Sequence, residues 1–246
     1  MRIDRYLAEN GFCESRTRAQ KLIEEKRVQI DGALCQKPSE EVSDGQNVTV
    51  LPSLHTEYVS RGGHKLAAAL DAFALDVRGL CAADLGASSG GFCDCLLQRG
   101  AAKIYAVDCG SGQLAKKLRE DARIVSMENT NARTLDENSL GEKVDLCVMD
   151  LSFISQTLIF PAVCRILKPH GLVVSLIKPQ FEVGRALVGK NGIVKSEKAR
   201  LAACGRVCEN AAGFGLVSRG VIPSPITGGD GNVEYLCVFD FLPEKE

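Results

Sequence analysis

Hydrophobic and polar positions follow two different patterns along this chain of 246 residues. Before residue 52, apolar residues recur at helical spacing and then in short runs, which predicts two helices and two strands. The helices are predicted at 2–10 and 16–25, and the strands at 28–30 and 47–51. Ser15 stands directly before the second helix, where a serine side chain can cap the first turn. These elements predict a small α+β domain.

From residue 81 onward, short apolar runs alternate with amphipathic stretches. The apolar runs predict strands at 81–85, 103–108, 124–127, 144–150, 171–177, 216–222 and 233–241. The stretches around them predict helices at 65–73, 91–99, 112–119, 156–167 and 196–212. Strand–helix alternation is typical of a parallel sheet with right-handed crossovers. We therefore predict an α/β, Rossmann-like fold with six parallel-type strands and an antiparallel strand inserted at the end of the sheet.

The change of pattern places a domain boundary near residue 52. The segment 52–57 is polar and without periodicity, as in a linker. We predict a first domain at 1–51, a linker at 52–60 and a second domain at 61–246. Within the first domain, Asp31 and Gly32 predict a hairpin turn.

Composition narrows the class of protein. The net charge is −1, so any contact with RNA must come from local patches rather than from an overall field. The 11 cysteines include no CxxC pair and the 3 histidines form no cluster, which favours buried reduced thiols over disulfides or a metal site. The charged start of the chain and the lack of a long apolar run predict a cytoplasmic protein without a signal peptide or membrane span.

The stretch 81–92, CAADLGASSGGF, carries the first chemical signal. A glycine-rich turn after a buried strand lets a ligand approach the backbone, but a dinucleotide site would have glycine where Ser88 stands. Asp84 lies at the strand tip, where a carboxylate disfavours a phosphate and favours a cation. Asp108 ends the next strand, where an acid can accept hydrogen bonds from ribose hydroxyls. S-adenosylmethionine carries an ammonium and a sulfonium but no phosphate, so the two acids favour it over NAD.

Charged residues also mark the later strand ends. Asp150 ends the strand in VMDLSF, and Lys178 follows the next strand in LIKPQFE. Lys65 precedes the sheet after two glycines, and Glu234 opens the last strand. Ligands of doubly wound sheets bind outside the carboxyl ends of the strands, so Asp150 and Lys178 are expected beside the cofactor. Taken singly, each of the four also fits an ordinary surface charge.

The first fifty residues contain a second motif. RYLAENG followed by SRTRAQKLIEEKRVQIDG resembles the S4 RNA-binding domain. The resemblance implies that basic side chains contact phosphates and position the protein without reading the base sequence. The residues that we assign to this role are Arg5, Arg16, Arg18 and Lys21. On charge alone, a solvated charged face is the alternative, because acids such as Glu9 and Glu24 dilute the patch.

Five motifs extend the resemblance to nearly the whole chain: YVSRGGHKL, ADLGASSGGF, VMDLSFIS, IKPQFEVGR and SPITGGDGNVEYL. Together they resemble the TlyA family, historically called hemolysin A, in which an S4 domain is joined to an FtsJ-like ribose methyltransferase. The resemblance implies a Lys-Asp-Lys-Glu catalytic tetrad at Lys65, Asp150, Lys178 and Glu234. It also implies that the 2′-hydroxyl of a cytidine in ribosomal RNA, free or in a ribosomal subunit, is the methyl acceptor.

Within this interpretation, Lys178 binds the ribose hydroxyl and either steers or accepts its proton, while the two acids hold the lysines and balance their charge. The S-adenosylmethionine contacts are assigned to Asp84, Gly86, Ser88 and Gly91 at the methionine end, Asp108 at the ribose, and Asn129 or Asn131 at the adenine. Phe153 and Phe181 are candidates for stacking on the target base, with core packing as the alternative.

Several other functions share parts of these patterns. An NAD(P) oxidoreductase would share the sheet, a pseudouridine synthase would share the S4 domain, and an RNA-binding protein would need no methyl transfer. A membrane-lytic activity has no apolar or amphipathic membrane segment to support it. Among methyltransferases, DLSF differs from the DPPY-like turn of base N-methylation, and carbon-5 chemistry needs a nucleophilic cysteine, for which Cys147 alone is close. A ribose oxygen is the acceptor that the sequence favours.

Overall fold

The chain divides into two compact units, Met1–Thr56 and Glu57–Glu246. The computed structural model describes residues 1–13, 15–24, 26–43, 45–51 and 58–243. Residues 52–57 of the predicted linker therefore lie outside the described residues. Tyr58 and Val59, which follow them, pack against the apolar core of the second unit.

The first unit consists of two short helices and a small antiparallel sheet with the strand order β2-β1-β3. Its elements are α1 (Ile3–Glu9), α2 (Arg16–Glu24), β1 (Val28–Ile30), β2 (Ala33–Leu34) and β3 (Val48–Val50). The predicted cap is confirmed, because the Arg18 backbone N–H donates to Ser15 Oγ at 3.2 Å. The predicted hairpin is confirmed as well: Asp31 and Gly32 have φ of +54° and +83°, and Ile30 pairs with Ala33 across the turn. Strand β2 was not predicted.

A buried carboxylate joins the helices of the first unit. Asp4 is fully buried, and its side chain accepts hydrogen bonds from Arg2, from Arg16 at 2.9 Å and from Gln20 at 3.3 Å. The Arg2 guanidinium, helped by Arg16 and Gln20, holds the pKa of Asp4 well below its usual range despite burial. The aspartate therefore stays charged and orients Arg16.

The second unit is built on a seven-stranded sheet with the order β6-β5-β4-β7-β8-β10-β9. Its strands are β4 (Cys81–Leu85), β5 (Lys103–Val107), β6 (Ile124–Met127), β7 (Val144–Met149), β8 (Leu167–Ile177), β9 (Leu216–Pro223) and β10 (Tyr235–Phe241). Its helices are α3 (Gly62–Ala72), α4 (Gly91–Gln98), α5 (Lys116–Arg119), α6 (Phe160–Ile166), α7 (Pro179–Glu182) and α8 (Glu197–Ala212). Strands β4 to β8 run parallel, and β10 lies antiparallel between β8 and β9. The predicted sheet, with six parallel-type strands and one inserted antiparallel strand, is confirmed.

Several predicted boundaries were wrong. The helix predicted at 112–119 starts only at Lys116, because Gly112 has φ of +68° and donates its N–H to Glu128 Oε1. The helix predicted at 156–167 is a 3₁₀ turn, Gln156–Leu158, followed by α6. The helix predicted at 65–73 begins three residues earlier, at Gly62, and the strand predicted at 171–177 begins at Leu167. Helix α7 was not predicted.

Side chains along the strands alternate between two apolar layers. Cys81, Ala83 and Leu85 of β4 contact the cluster that contains residues of α6 and α8. Ala82 contacts the opposite cluster, which contains residues of α3, α4 and α5. Because strand side chains alternate with a period of two, Asp84 points to the same layer as Ala82. This alternation decides which polar residues meet at the carboxyl edge of the sheet.

Candidate active site

A cavity of about 300 Å³ opens at the carboxyl ends of β4, β7 and β8. By the same alternation as in β4, Val148 and Leu176 pack in the layer of α3 and α4, so Asp150 and Lys178, two residues farther on, point to that side. The cavity is lined by Ser60, Arg61, Gly62, Lys65, Asp84, Gly86, Ala87, Ser88, Ser89, Gly91, Phe92, Asp150, Ser152 and Lys178. Strand register therefore brings residues from distant parts of the chain to one cavity.

The turn between β4 and α4 depends on its glycines. Gly86 has φ of +87°, and a Cβ there would lie 2.7 Å from the Asp150 carbonyl oxygen. A Cβ on Gly91 would lie 3.0 Å from the Gly63 backbone nitrogen. Gly90 precedes α4 with φ of +91°. Glycine at these positions allows the turn, the β7 end and the segment before α3 to approach one another closely.

Asp84 is a buried carboxylate with an unused oxygen. The residue has no exposed surface, and its Oδ2 accepts hydrogen bonds from the backbone N–H and the thiol of Cys93, both at 3.0 Å. Oδ1 is buried without a hydrogen-bond partner among the described residues. The pKa of Asp84 is raised to about 7, chiefly by burial, with hydrogen bonds from Cys93 lowering it and the nearby Asp150 raising it. An acceptor held in this way favours a ligand that brings a positive donor.

Ser88 and Asp108 join the first two strand ends. Ser88 has φ of +47°, a left-handed conformation that is uncommon for a residue with a side chain. Its N–H donates to Asp108 Oδ2 at 2.7 Å, while the Gly110 N–H donates to Asp108 Oδ1 at 2.7 Å. The turn thus keeps the backbone shape of a glycine motif although a serine occupies the position. Asp108 is oriented by these two amides and lies outside the set of residues that line the cavity.

Lys65 and Glu234 form a buried ion pair. Lys65 Nζ is 2.5 Å from Glu234 Oε2, and the two side chains are 10% and 3% exposed. A Cβ on Gly228 would lie 2.6 Å from Glu234 Oε1, so the glycine leaves room for the carboxylate. Lys65 lines the cavity, and Glu234 stands behind it.

Lys178 contacts two groups of the loop after β7. Its Nζ lies 2.7 Å from Asp150 Oδ1 and donates to Ser152 Oγ at 2.8 Å. Asp150 Oδ1 accepts no well-aligned hydrogen bond from the described residues, so the contact with Lys178 is an ion pair by distance alone. Lys178 and Asp150 both line the cavity, which leaves them accessible to a ligand there.

Glu182 links the loop after β7 to helix α7. Its carboxylate accepts hydrogen bonds from Ser155 Oγ at 2.6 Å and from the Gln156 N–H at 2.9 Å. Burial raises the pKa of Glu182 above its usual value. Beside this link, the rings of Phe153 and Phe181 contact each other with centroids 5.2 Å apart. Phe153 is 91% exposed and has φ of +64°, so its ring is not part of the core.

The segment before α3 supplies lining residues that the sequence analysis did not single out, above all Ser60 and Arg61. This segment is bound to α4, because the Val59 N–H donates to Asp94 Oδ2 at 2.7 Å. Lys117 Nζ of α5 donates to the same oxygen at 3.0 Å. The glycine pair in YVSRGGHK was the available signal, since a Cβ on Gly63 would collide with the Tyr58 ring.

The structure brings most of the assigned site residues together. Those that line the cavity are Lys65, Asp84, Gly86, Ser88, Gly91, Asp150 and Lys178. Glu234 reaches it through Lys65. Asn129 does not line it: the residue is exposed, has φ of +53°, and its N–H donates to the Gly110 carbonyl. Asn131 accepts a hydrogen bond from the Arg133 N–H and caps a 3₁₀ turn.

The four residues assigned to RNA contact differ in their surroundings. Arg5 is paired with Glu9 at 2.6 Å, and Arg16 is bound to Asp4. Arg18 is half-buried on α2, and the side chain of Lys21 lies outside the described part of the chain. Arg5 and Arg16 thus present guanidinium groups whose charge is partly balanced within the first unit.

Two family models match the two units. The model of the FtsJ-like methyltransferase family matches residues 58–241, and that of the S4 domain matches residues 1–48. The described residues contain no group of three or more histidine, cysteine or acidic side chains arranged to hold a metal ion. No helix of the described chain is long and apolar enough to span a membrane.

Individual proteins with known names match over most of the chain. The "16S/23S rRNA (cytidine-2'-O)-methyltransferase TlyA" of Mycobacterium tuberculosis (strain ATCC 25618 / H37Rv) is 45% identical over 95% of this chain and 87% of its own. "Hemolysin A" of Brachyspira hyodysenteriae is 39% identical over 97% and 99%. The solved structure of a "Putative hemolysin from Streptococcus thermophilus" is 39% identical, covers 98% of this chain and 88% of its own, and superimposes with a TM-score of 0.79.

Proposed function

The chain belongs to the FtsJ-like methyltransferase family, and from that premise we propose that it methylates a ribose 2′-hydroxyl of ribosomal RNA with S-adenosylmethionine as the methyl donor. One observation carries the proposal: a cavity that contains both an uncompensated carboxylate, Asp84, and a lysine, Lys178, at neighbouring strand ends. The mycobacterial relative is named for this reaction on cytidine, which supports cytidine as the target nucleotide.

The residues of the β4 turn fit the methionine end of S-adenosylmethionine, which supplies an electrophilic methyl group when bound. Asp84 Oδ1 is the free acceptor for an ammonium donor. Gly86 and Gly91 leave the backbone open to close approach, because neither carries a Cβ. Asp108 is assigned to the ribose hydroxyls, since each of its oxygens accepts one amide and keeps a lone pair. Asn129 is assigned to the edge of the adenine.

Lys178 is assigned to the acceptor hydroxyl. An ammonium has three N–H donors; one is directed to Ser152, while Asp150 pairs with the group by charge, which leaves a donor for the ribose oxygen. A ribose hydroxyl is a weak nucleophile, so its oxygen must be aligned with the donor methyl, and alignment can supply up to about 7–11 kcal/mol of the barrier. Lys178 steers this oxygen and, once a neighbouring carboxylate or solvent takes its proton, can receive the proton of the hydroxyl.

Lys65 and Glu234 complete the assigned tetrad. Lys65 brings a second cation to the cavity wall beside a nucleophile that becomes negative as its proton leaves. Glu234 balances that charge and fixes the lysine, because a buried ammonium without a partner would be costly. On this view Asp150 and Glu234 have the same role for two different lysines.

The S4 unit is assigned to RNA binding through Arg5, Arg16, Arg18 and Lys21. Phosphate contacts from such residues position the enzyme but do not read bases. Phe153, exposed beside Ser152, is assigned to stacking on the target base, with Phe181 supporting its ring. Because the proposed substrate is ribosomal RNA or a ribosomal subunit, we expect the enzyme to act in the cytoplasm.

Mapping of 2′-O-methyl groups on ribosomal RNA tests the proposal. RNA from cells with the gene, without it, and with the Lys178→Ala gene is compared position by position. We expect at least one methylated ribose that is present in the first RNA and absent from the other two. Identical maps in all three would contradict the proposed reaction, and a base methylation in their place would contradict the assigned acceptor.

Calorimetry with S-adenosylhomocysteine separates an enzyme from an RNA-binding protein of the same fold. We expect saturable binding that Asp84→Asn weakens, and no binding of NADH. If neither compound binds, the cavity does not hold the assigned cofactor.

A further inference from the structure

The segment after α7, residues 183–198, concentrates positive charge on a chain whose net charge is −1. We call it the basic segment. Its exposed cations are Arg185, Lys190, Lys195 and Lys198, and the acid within it is Glu197. None of the four cations forms an ion pair with another described residue. Their charge is therefore available to a partner.

At the opposite edge of the sheet, two lysines are paired with acids. Lys103, at the amino end of β5, is paired with Glu142 at 2.9 Å. Lys168, at the amino end of β8, is paired with Asp145 at 2.7 Å. The unpaired cations of the basic segment instead follow the carboxyl end of β8, seven or more residues after Lys178. Val194 of the segment donates its N–H to Asn232, which shortly precedes Tyr235, and Tyr235 pairs with Ile177 at the carboxyl end of β8, so this part of the segment lies at the edge where the cavity opens.

The basic segment is held in a defined shape. The buried side chain of Asn232 accepts a hydrogen bond from the Val194 N–H and donates one to the Gly192 carbonyl, both at 3.0 Å. Arg200 donates to the carbonyls of Val194 and Lys195 at 3.1 and 2.9 Å. Underneath, a small apolar cluster consists of Val183, Val194, Ala199 and Ala203, with Val188 packed against it. A segment fixed before binding loses little conformational entropy when it binds.

These bonds also connect the basic segment to the candidate active site. Asn232 stands two residues before Glu234, which holds Lys65. At its other end the segment continues from α7, whose preceding residue is Lys178. A polyanion bound to the basic segment would therefore contact residues that are connected to Lys178 through α7 and to Lys65 through Asn232 and Glu234.

From these observations we infer that the basic segment binds the phosphate backbone of the RNA substrate and presents the target nucleotide to the cavity. This inference deepens the proposed function and rests on it. The RNA backbone is the matching part of the substrate, because these cations are spaced along the segment as single charges. Single charges bind phosphates and do not read the base sequence.

Charge removal on the two edges of the sheet tests the inference. One triple variant, Lys190→Gln, Lys195→Gln and Lys198→Gln, removes three lysine charges from the basic segment. Its matched control, Lys103→Gln, Lys143→Gln and Lys168→Gln, removes three from the amino edge, so the net charge changes equally. Binding of both full-length variants to purified ribosomal RNA is measured between 50 and 300 mM salt, together with S-adenosylhomocysteine affinity and thermal stability.

We expect the first variant to bind RNA about 10- to 100-fold more weakly, with the slope of log K against log salt reduced by about 2–3, since each of three lost phosphate contacts removes about 0.7–0.9. The control should retain the affinity and slope of the wild type, and both should bind S-adenosylhomocysteine normally. Equal losses in the two variants would assign the effect to net charge, and an unchanged slope in the first variant would overturn the inference.

RNA binding is measured without methyl transfer, so the inference and the proposed function fail separately. If the wild type binds RNA through the basic segment but leaves no 2′-O-methyl group, the proposed reaction is contradicted and the RNA-binding role of the segment is supported. If methylation occurs while the first variant keeps full RNA affinity, the proposed reaction is supported and the RNA-binding role of the segment is contradicted.

Discussion

Lys65 and Glu234 are 169 residues apart in the chain, yet Lys65 Nζ and Glu234 Oε2 lie 2.5 Å from each other in a nearly dry site. One residue belongs to the first helix of the second unit and the other to the loop before its last strand in the chain, β10. The ion pair therefore links the beginning of the second unit to a segment near its end, at the wall of the candidate active site.

Breaking this pair should cost stability, and replacing both partners should return much of it. Lys65→Met or Glu234→Leu alone leaves one buried charge unbalanced, which costs about 3–5 kcal/mol. The double variant removes both charges, and we expect it to regain most of the lost stability of the second unit in calorimetric unfolding.

The double variant should nevertheless lack methyl transfer, because the cation at the cavity wall is gone. This combination separates the structural role of the pair from its chemical role. A double variant as unstable as the sum of the single variants would show that the two side chains act independently.

Lys178→Ala should reduce methyl transfer by about 10²–10⁴-fold, the usual range for loss of a group that handles a reacting proton. S-adenosylhomocysteine affinity should change little, since Lys178 is assigned to the acceptor. The matched control is Lys168→Ala, at the other end of the same strand, where the lysine is paired with Asp145 away from the cavity. Turnover close to that of the wild type in the first variant, or an equal loss in the control, would remove Lys178 from the reaction.

Sequence patterns predicted the sheet because every residue of β4 is buried and β7 is nearly so, so a continuous apolar run reports the strand directly. They failed where a tertiary contact decides the local structure. Gly112 and the residues up to α5 form a loop because Gly112 bonds to Glu128, sixteen residues away. Asp4 was also unpredictable, since burial of a carboxylate depends on Arg2, Arg16 and Gln20 meeting around it.

The candidate site shows the same division. Strand ends and the period of two were enough to expect Asp84, Asp150 and Lys178 at one edge. Ser152, by contrast, is recognisable only through its bond to Lys178, a contact that a residue pattern does not encode. For Arg61 the glycine pair that follows it signals close packing, but the pattern does not show that the segment before α3 packs on Gly91 at the cavity.

The free protein should lose stability as the pH rises from about 4 to about 7 because of Asp84. In the unfolded chain an aspartate releases its proton near pH 4, whereas in the folded protein Asp84 keeps it until about pH 7. The folded state thus binds more protons across this window, so its stability falls with pH, by about 4 kcal/mol in all. Asp84→Asn should remove this component from a series of unfolding measurements, and parallel curves for the two proteins would contradict the assignment.

A cationic ligand should reverse the effect at the same residue. If the ammonium of S-adenosylhomocysteine binds Asp84, the carboxylate must be charged, so affinity should rise with pH up to about 7 and binding below that pH should release a proton. Calorimetry in two buffers of different ionisation enthalpy measures this proton. Its absence would place the ammonium elsewhere.

Gly86→Ala should damage the site more than an equally left-handed glycine elsewhere. A methyl group at Gly86 meets the Asp150 carbonyl at 2.7 Å, in addition to the strain of φ +87°. Gly79→Ala is the control, because Gly79 has φ of +74° and open space around its would-be Cβ. The control should lose about 1–2 kcal/mol from backbone strain alone, and Gly86→Ala should lose more and bind S-adenosylhomocysteine more weakly. Equal losses of stability would show that the residues after β7 move to accommodate the added methyl group without a further loss of stability.

Phe153→Ala should lower methyl transfer without lowering stability. The ring is 91% exposed, so its removal creates no cavity, and Phe153 directly follows Ser152, whose hydroxyl accepts a hydrogen bond from Lys178. Stacking of a base on an aromatic ring is worth about 1–3 kcal/mol, so we expect a loss of about 5- to 150-fold in kcat/KM for RNA. Leu201→Ala, at an exposed apolar residue of α8, is the control and should change neither quantity. If Phe153→Ala left kcat/KM unchanged, or lowered S-adenosylhomocysteine affinity instead, the ring would not contact the target base.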